Sequence, residues 1–380
     1  MTSVGPGAQL RVHSLDGLRG AAALVVVAYH VLHRVVLPKP LLSAWLMSPF
    51  GVFVNGPGAV HLFFVLSGFV LALTMFRDSG PAGVPRFYVR RLFRIQPPYA
   101  FAVLFAWVAS IGFPVVGGLA HWFQADKVGN PCFHIPAYLL PRAMLLPSMA
   151  FGQLPVGWSL QVELVMSAAF PILWLLGRRI HAAVPLLLGI AAFWVTDPRW
   201  RVVGFSFDFA VGLVLFLERE RIAGWIAHVP RVATGPWIIA GIMLLQLPYA
   251  LTYSNQGVAL VEQGHAPSTI VLMSFGSALL IVAAEHFEFF RGLLERPWFR
   301  YFGRISYSLY LLHMPVLLFA ICRITGPRLH WASGLVLFAA VLAISIGCAE
   351  FAWRWVEEPS IRAGRWLNET LGAKRKGAAT

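Results

Sequence analysis

Arg19 and His30 stand eleven positions apart in the run LDGLRGAAALVVVAYH, from Leu15 to His30. At about 100° per residue, eleven steps make three turns plus roughly 20°, so the two share one helix face about 16 Å apart. A guanidinium can hold an anionic group, and an imidazole can take up and return a proton near neutral pH. Asp16, three residues before Arg19, is placed to orient it. The competing structural reading is interfacial snorkelling for Arg19 and an interhelical hydrogen bond for His30.

Three further stretches carry chemistry-bearing side chains. In RFYVRRLFRIQPPY, Arg86, Arg90 and Arg94 repeat every fourth residue with Arg91 beside them, a basic stripe ended by Pro97-Pro98. Arginine forks bind phosphate bidentately, and a cluster of this size would equally anchor a membrane topology. In VGWSLQVELVMSAAFP, Ser159 and Glu163 lie one turn apart, and a lone carboxylate there needs a partner or a wet cavity. It could orient His30, bind an acceptor hydroxyl or pair with an arginine. In FGRISYSLYLLHMPV, Ser306, Tyr310 and His313 fall at i, i+4 and i+7, a polar line on an apolar helix that suits a pocket wall.

Other ionisable groups within apolar runs are Asp208, Glu285 and Glu350, each as readily a bundle-holding pair as a functional group. His61 lies near the outer end of its run, where a solvated interfacial role is the plain expectation. Cys132, Cys322 and Cys348 have no CxxC spacing, so neither a disulfide nor a metal site is expected from them. No HxxxH or Cys/His cluster points to zinc.

The elements that must position these residues are membrane helices. Of 380 residues, 58% are hydrophobic and 12% charged, well away from a soluble domain. A span needs about 20 apolar residues. The apolar runs give helices near 18–37, 58–76, 97–116, 157–177, 183–197, 202–217, 235–252, 268–285, 304–322 and 332–355. The run from Ala21 to Val36 lacks a small-residue cleavage site and is read as a permanent helix, not a signal peptide. Strands are not expected, because the runs are continuous rather than alternating. No internal repeat is visible.

The expected fold is therefore all-α, a polytopic bundle of about ten transmembrane helices. With both termini cytoplasmic, the inside segments hold twenty of the 30 Lys and Arg and the outside segments eight. That is the positive-inside pattern. It accounts for the net charge of +14 without invoking nucleic acid. The longest outside loop, 117–156, carries His121, Trp122, Asp126 and His134. Residues 1–13 form a short cytoplasmic segment and 359–380 a basic tail, disordered near Lys374–Lys376.

Together these stretches resemble the integral-membrane acyltransferase family 3, bacterial O-acyltransferases related to O-antigen and exopolysaccharide acetylases. The resemblance rests on LDGLRGAAALVVVAYH, FFVLSGFVL at 63–71, RRLFR at 90–94, GWSLQVE at 157–163 and ISYSLYLLHMP at 305–315, in the family's order across 14–358. It implies transfer of an acyl group, commonly acetyl, from cytoplasmic acyl-CoA to a hydroxyl on a glycan, a lipid-linked sugar or a small secondary metabolite. Acyl-CoA is then a co-substrate, with no permanently bound cofactor. The setting implied is the bacterial inner membrane. Arg19 and His30 match the family's first-helix pair, and Arg91 and Arg94 match its RxxR motif, implicated with the donor. Glu163, Tyr310 and His313 match further family positions. Asp16, Arg90, Trp158, Ser159 and Ser306 complete the expected substrate-binding set. Some members append an SGNH-type soluble domain, and modification through such an in-chain domain is not expected here.

The expected mechanism places the donor's phosphates near Arg19 and the Arg90/Arg91/Arg94 stripe and its thioester near His30. His30 then acts as general base on the acceptor hydroxyl, with Glu163 or Tyr310 orienting it or the acceptor. An acyl-His intermediate stays open as a variant. The rival from another class is a transporter or flippase for a lipid-linked sugar, which ten helices with intramembrane charges would also fit.

Overall fold

The computed structural model describes residues 13–32, 35–36, 39–77, 83–113, 134–147, 154–194, 203–256, 267–325 and 329–377. Ten apolar helices occupy the ten expected places. They are α1 (His13–Leu32), α2 (Gly56–Arg77), α3 (Gly83–Ala109), α4 (Gly157–Arg179) and α5 (Ala183–Ala191). Next come α6 (Ser206–Leu217), α7 (Thr234–Gln256), α8 (Pro267–His286), α9 (Pro297–Ala320) and α10 (Trp331–Ala352). Among the described residues, eight stretches are long and apolar enough to cross a membrane, and those holding α5 and α6 are shorter. The protein is an all-α, multi-pass membrane protein. A two-residue parallel pairing, Val35–Val36 with Leu329–His330, joins the segments after α1 and before α10.

Lipid tails are as apolar as leucine, so membrane helices associate through close packing of small residues and interhelical hydrogen bonds. The α1–α9 pair shows this most strongly. A side chain at Gly20 would strike the backbone of Phe302 and Gly303, and one at Gly303 would strike the Asp16 carbonyl. Two helices thus meet backbone to backbone, running in the same direction. Their common starting end is the proximal face of the bundle and the other the distal face. The α2–α6 crossing is built the same way, with Gly68 against the Phe209 carbonyl and Gly212 against that of Val65.

Two boundaries differ from the sequence reading in ways that matter. The fourth-residue arginine stripe was expected in a loop stopped by prolines. It lies instead inside α3, which runs through Pro97 and Pro98 to Ala109. Each proline removes one ladder hydrogen bond. Neighbouring helices re-satisfy freed carbonyls in such membrane helices. The carbonyls freed here are those of Phe93 and Arg94, and beside them Tyr307 of α9 donates to the Ile95 carbonyl at 3.0 Å, tying α9 to this turn.

The second difference is the tail. After α10 the chain forms a π-helical segment, Trp353–Glu357, and then α11 (Glu358–Gly377). Lys374–Lys376 are thus helical rather than disordered. α11 packs on α3, with Asn368 donating to the Arg86 carbonyl at 3.1 Å and Gly364 against Phe93.

Cys322 is disulfide-bonded, a correction to the expectation of none, because sequence spacing does not show which segments meet in space. Cys348 is free, and Cys132 lies outside the described residues. His121, Trp122 and Asp126 of the long loop also lie outside them. The Ser110 hydroxyl gives its hydrogen to the Trp107 carbonyl at 2.9 Å, so His134 Nδ1 donates to Ser110 Oγ at 2.7 Å, and the Trp107 indole donates to the Ile135 carbonyl, which ties this part of the loop to the distal end of α3.

Candidate active site

Three polar layers line the bundle between α1, α3, α4 and α9. The close α1–α9 crossing sets the proximal layer. Arg19 donates through Nε to Ser306 Oγ at 3.1 Å. Its Nη2 donates to Asp16 at 2.9 Å and to the Gly303 carbonyl at 3.3 Å. The orienting role expected of Asp16 is therefore met, and the guanidinium is fixed on three sides. Ser306 in turn donates to the Gly303 carbonyl.

Glu357 joins this layer from the end of the π-helical segment. Its side chain is buried and accepts from Ser308 Oγ at 2.6 Å. The neighbouring Arg354 and Trp355 point outward. The wide π turn aims the carboxylate into the bundle, a use of such bulges common at functional sites. Its charge acts on Arg19 and Arg94. Arg94 is half-buried and makes no hydrogen bond or ion pair among the described residues.

The middle layer joins α3 to α4. Arg91 donates to Glu163 at 2.5 Å through Nη2 and to Ser167 at 3.1 Å through Nε. Of the three partners open to Glu163, the structure thus selects an arginine. Neither Glu163 nor Tyr310 hydrogen-bonds to His30 among the described residues. Tyr310 lies 2.6 Å from Ser159 Oγ, whose own hydrogen goes to the Val156 carbonyl at 2.8 Å. Ser159 has one proton, so Tyr310 is the donor between them.

The distal layer is a pair of imidazoles. His313 Nε2 lies 3.2 Å from His30 Nδ1, and the ring centroids are 5.0 Å apart. His313 is fully buried, whereas His30 is partly accessible and packs edge-on against Tyr29. His30 sits in the last turn of α1, nearer the distal face than the mid-membrane depth expected for it. Ser306, Tyr310 and His313 do form one line, and each touches a different layer.

The remaining expected residues fall elsewhere. Arg90 feels the like charge of Arg77, at the end of α2. The four-arginine stripe is thus split, with Arg91 and Arg94 turned to the site. Trp158 packs against Phe64 and Phe205. His61 is not solvated. It is buried and lies 2.9 Å from Asp208, which also accepts from Ser274 at 2.6 Å. Asp208 and Glu350 are both paired, Glu350 with Arg304 and Arg354. Three groups escaped the sequence reading: Glu357, Ser308 and Ser167. Glu357 had a faint signal, an acidic pair before Pro359 at the end of the last apolar run. No cluster of three metal-ligating groups occurs among the described residues.

A family model for an acyltransferase domain, acyltransferase family 3, matches residues 12–350, which takes in all three layers except Glu357. The chain belongs to this family. This acyltransferase is 28% identical to acyltransferase MdmB of Streptomyces mycarofaciens, over 94% of its own length and 93% of the relative's. It is 24% identical to the peptidoglycan O-acetyltransferase OatA of Listeria monocytogenes, over 96% of its own length and 58% of the relative's. It is 22% identical to the O-acetyltransferase PaAT-1 of Phomopsis amygdali, covering 84% of that protein. No solved structure matches the chain.

Proposed function

We propose that this acyltransferase moves an acyl group, acetyl in the simplest case, from acyl-CoA to a hydroxyl, with His30 as general base. The observation that carries the reading is the axial order of the layers. Arg94, a half-buried guanidinium that faces the Glu357 charge and makes no hydrogen bond or ion pair among the described residues, lies toward the proximal face. A partly accessible imidazole lies toward the distal face.

A CoA thioester is a long molecule with phosphates at one end and a reactive carbonyl at the other. In this reading the proximal face is cytoplasmic, in keeping with the bias of basic residues to the segments on that side. The disulfide at Cys322, just beyond the distal end of α9, fits an oxidising exterior. Arg94 takes a phosphate or pantetheine oxygen, while Arg19, held by Asp16, Ser306 and Gly303, keeps the field positive. The acceptor reaches His30 from the distal side.

His30 removes the hydroxyl proton as the oxygen attacks the thioester carbonyl. The tetrahedral intermediate then collapses, the carbon–sulfur bond breaks, and the same proton passes to the departing thiolate. The products are an ester and CoA thiol. The peptidoglycan O-acetyltransferase among the relatives makes a glycan one acceptor class to test, and MdmB, matched nearly end to end, keeps small metabolites beside it.

The test uses full-chain protein in detergent with radiolabelled acetyl-CoA and a panel of glycan, lipid-linked sugar and polyhydroxyl metabolite acceptors. Alkali-labile label in one of them, lost in His30→Ala at equal protein abundance, is the expected result. General-base removal costs typically 10²–10⁴-fold. Full turnover in His30→Ala overturns the reading.

A further inference from the structure

Each imidazole of the distal pair has its Nδ1 on a main-chain carbonyl of its own helix. His30 Nδ1 lies 2.9 Å from the Val26 carbonyl and His313 Nδ1 lies 3.2 Å from that of Leu309. A carbonyl only accepts, so both Nδ1 atoms carry hydrogen. For neutral rings this leaves both Nε2 atoms as lone pairs. His313 Nε2 then accepts from His30 Nδ1–H across their 3.2 Å contact. The His30 hydrogen is shared between Val26 and His313, and His30 Nε2 is the basic atom.

We infer that His313 is the positioning residue for His30: a buried neutral imidazole that fixes its tautomer and takes the place a carboxylate holds in other acid–base constellations. This rests on the reading of His30 as base and adds a second group to it. When Nε2 of His30 takes the acceptor's proton, the imidazolium charge is met by the lone pair on His313 Nε2. His313 needs no proton of its own, and the proton leaves again from His30 Nε2 to the thiolate. Full burial of His313 keeps water from competing for that lone pair. In serine proteases, loss of the group that sets the histidine tautomer costs about 10⁴-fold in kcat with geometry intact.

The test measures CoA thiol released from acetyl-CoA by membrane vesicles containing the full chain, with variants matched for inserted protein. His313→Leu should lower kcat by roughly 100-fold or more while KM for acetyl-CoA stays within about twofold, since no donor contact is removed. His313→Gln puts an amide oxygen near the Nε2 position and should recover at least tenfold of that loss. His313→Asn, whose amide ends near the Nδ1 position, should not. The double variant His30→Ala/His313→Leu should be no slower than His30→Ala alone, as expected of groups acting as a unit. Where His313→Leu fails to insert, the comparison of Gln with Asn decides.

Wild-type kcat in His313→Leu, equal activity of Gln and Asn, or multiplicative losses in the double variant each overturn the inference. An active His30→Ala overturns the base reading instead. An inactive His30→Ala beside a fully active His313→Leu removes only the role given to His313.

Discussion

Glu163 and Arg91 face each other at 2.5 Å across α4 and α3, with Ser167 completing the guanidinium's contacts. The pair is mostly enclosed, its side chains 22% and 12% exposed. Cutting one partner leaves a desolvated charge behind, which for enclosed pairs costs more than the pair itself contributes. Glu163→Ala should destabilise the bundle by about 1–3 kcal/mol, read as a lower unfolding temperature in detergent. The exchange Arg91→Glu with Glu163→Arg should recover part of it. An unchanged unfolding temperature in Glu163→Ala would show that the pair holds nothing.

Arg94 and Arg19 should separate in a kinetic experiment. Arg94→Ala removes a guanidinium that makes no hydrogen bond or ion pair among the described residues and should raise KM for acetyl-CoA by roughly tenfold or more, the worth of a charge-assisted hydrogen bond. Unfolding temperature should stay put. Arg19→Ala strands Asp16 and Ser306 as well, so it should lower stability and KM-dependent use of the donor together. A donor saturation curve unmoved by Arg94→Ala would remove it from the binding site.

Glu357→Gln keeps the shape of the side chain and its acceptance from Ser308 while deleting a charge that faces Arg19 and Arg94. With excess positive charge at the proximal layer, acetyl-CoA should bind as well or better while its release slows. The prediction is a KM that falls or holds and a kcat that drops. A lowered kcat with a several-fold higher KM would instead place Glu357 in direct donor recognition.

The α1–α9 crossing should be intolerant of a single methyl. Gly20→Ala or Gly303→Ala drives a Cβ into backbone and should cost about 1–3 kcal/mol or abolish insertion. Gly347→Ala, on α10 with open space around it, is the control and should stay within about 0.5 kcal/mol. Equal effects at the two places would contradict the packing described.

His61 and Asp208 make a contrasting case. With Ser274 they join α2, α6 and α8, away from the layered site. Asp208→Ala should lower stability by about 3–5 kcal/mol, as loss of one partner of a buried pair does. The kcat per folded molecule should hold within about threefold, a loss worth under 0.7 kcal/mol. A selective loss of kcat at normal stability would move this cluster into the catalytic account.

Much of the fold was legible, because twenty-residue apolar runs write themselves plainly into a sequence. The Arg19–His30 face and the Ser306–Tyr310–His313 line were legible too, since helical period alone sets them. What periodicity does not carry is which lines face one another. The choice of Arg91 for Glu163 and of His313 for His30 depends on how α1, α3, α4 and α9 cross. His61 was misjudged for the same reason: a position near a helix end says nothing of the neighbour that covers it. Glu357 was missed because a π turn breaks the 3.6-residue rule that sequence reading relies on.

That wide turn has a consequence for how this region tolerates change in length. A π turn takes up one residue more than an α turn over the same rotation, so removing one residue between Trp353 and Glu357 would restore a regular helix and leave α11 close to its present phase. The Asn368 and Gly364 faces of α11 would stay on α3, and only side chains within the turn would change direction. A one-residue deletion in the regular part of α11, by contrast, would rotate everything after it by about 100°. Within this C-terminal region a natural one-residue deletion should therefore fall at 353–357 and not in α11.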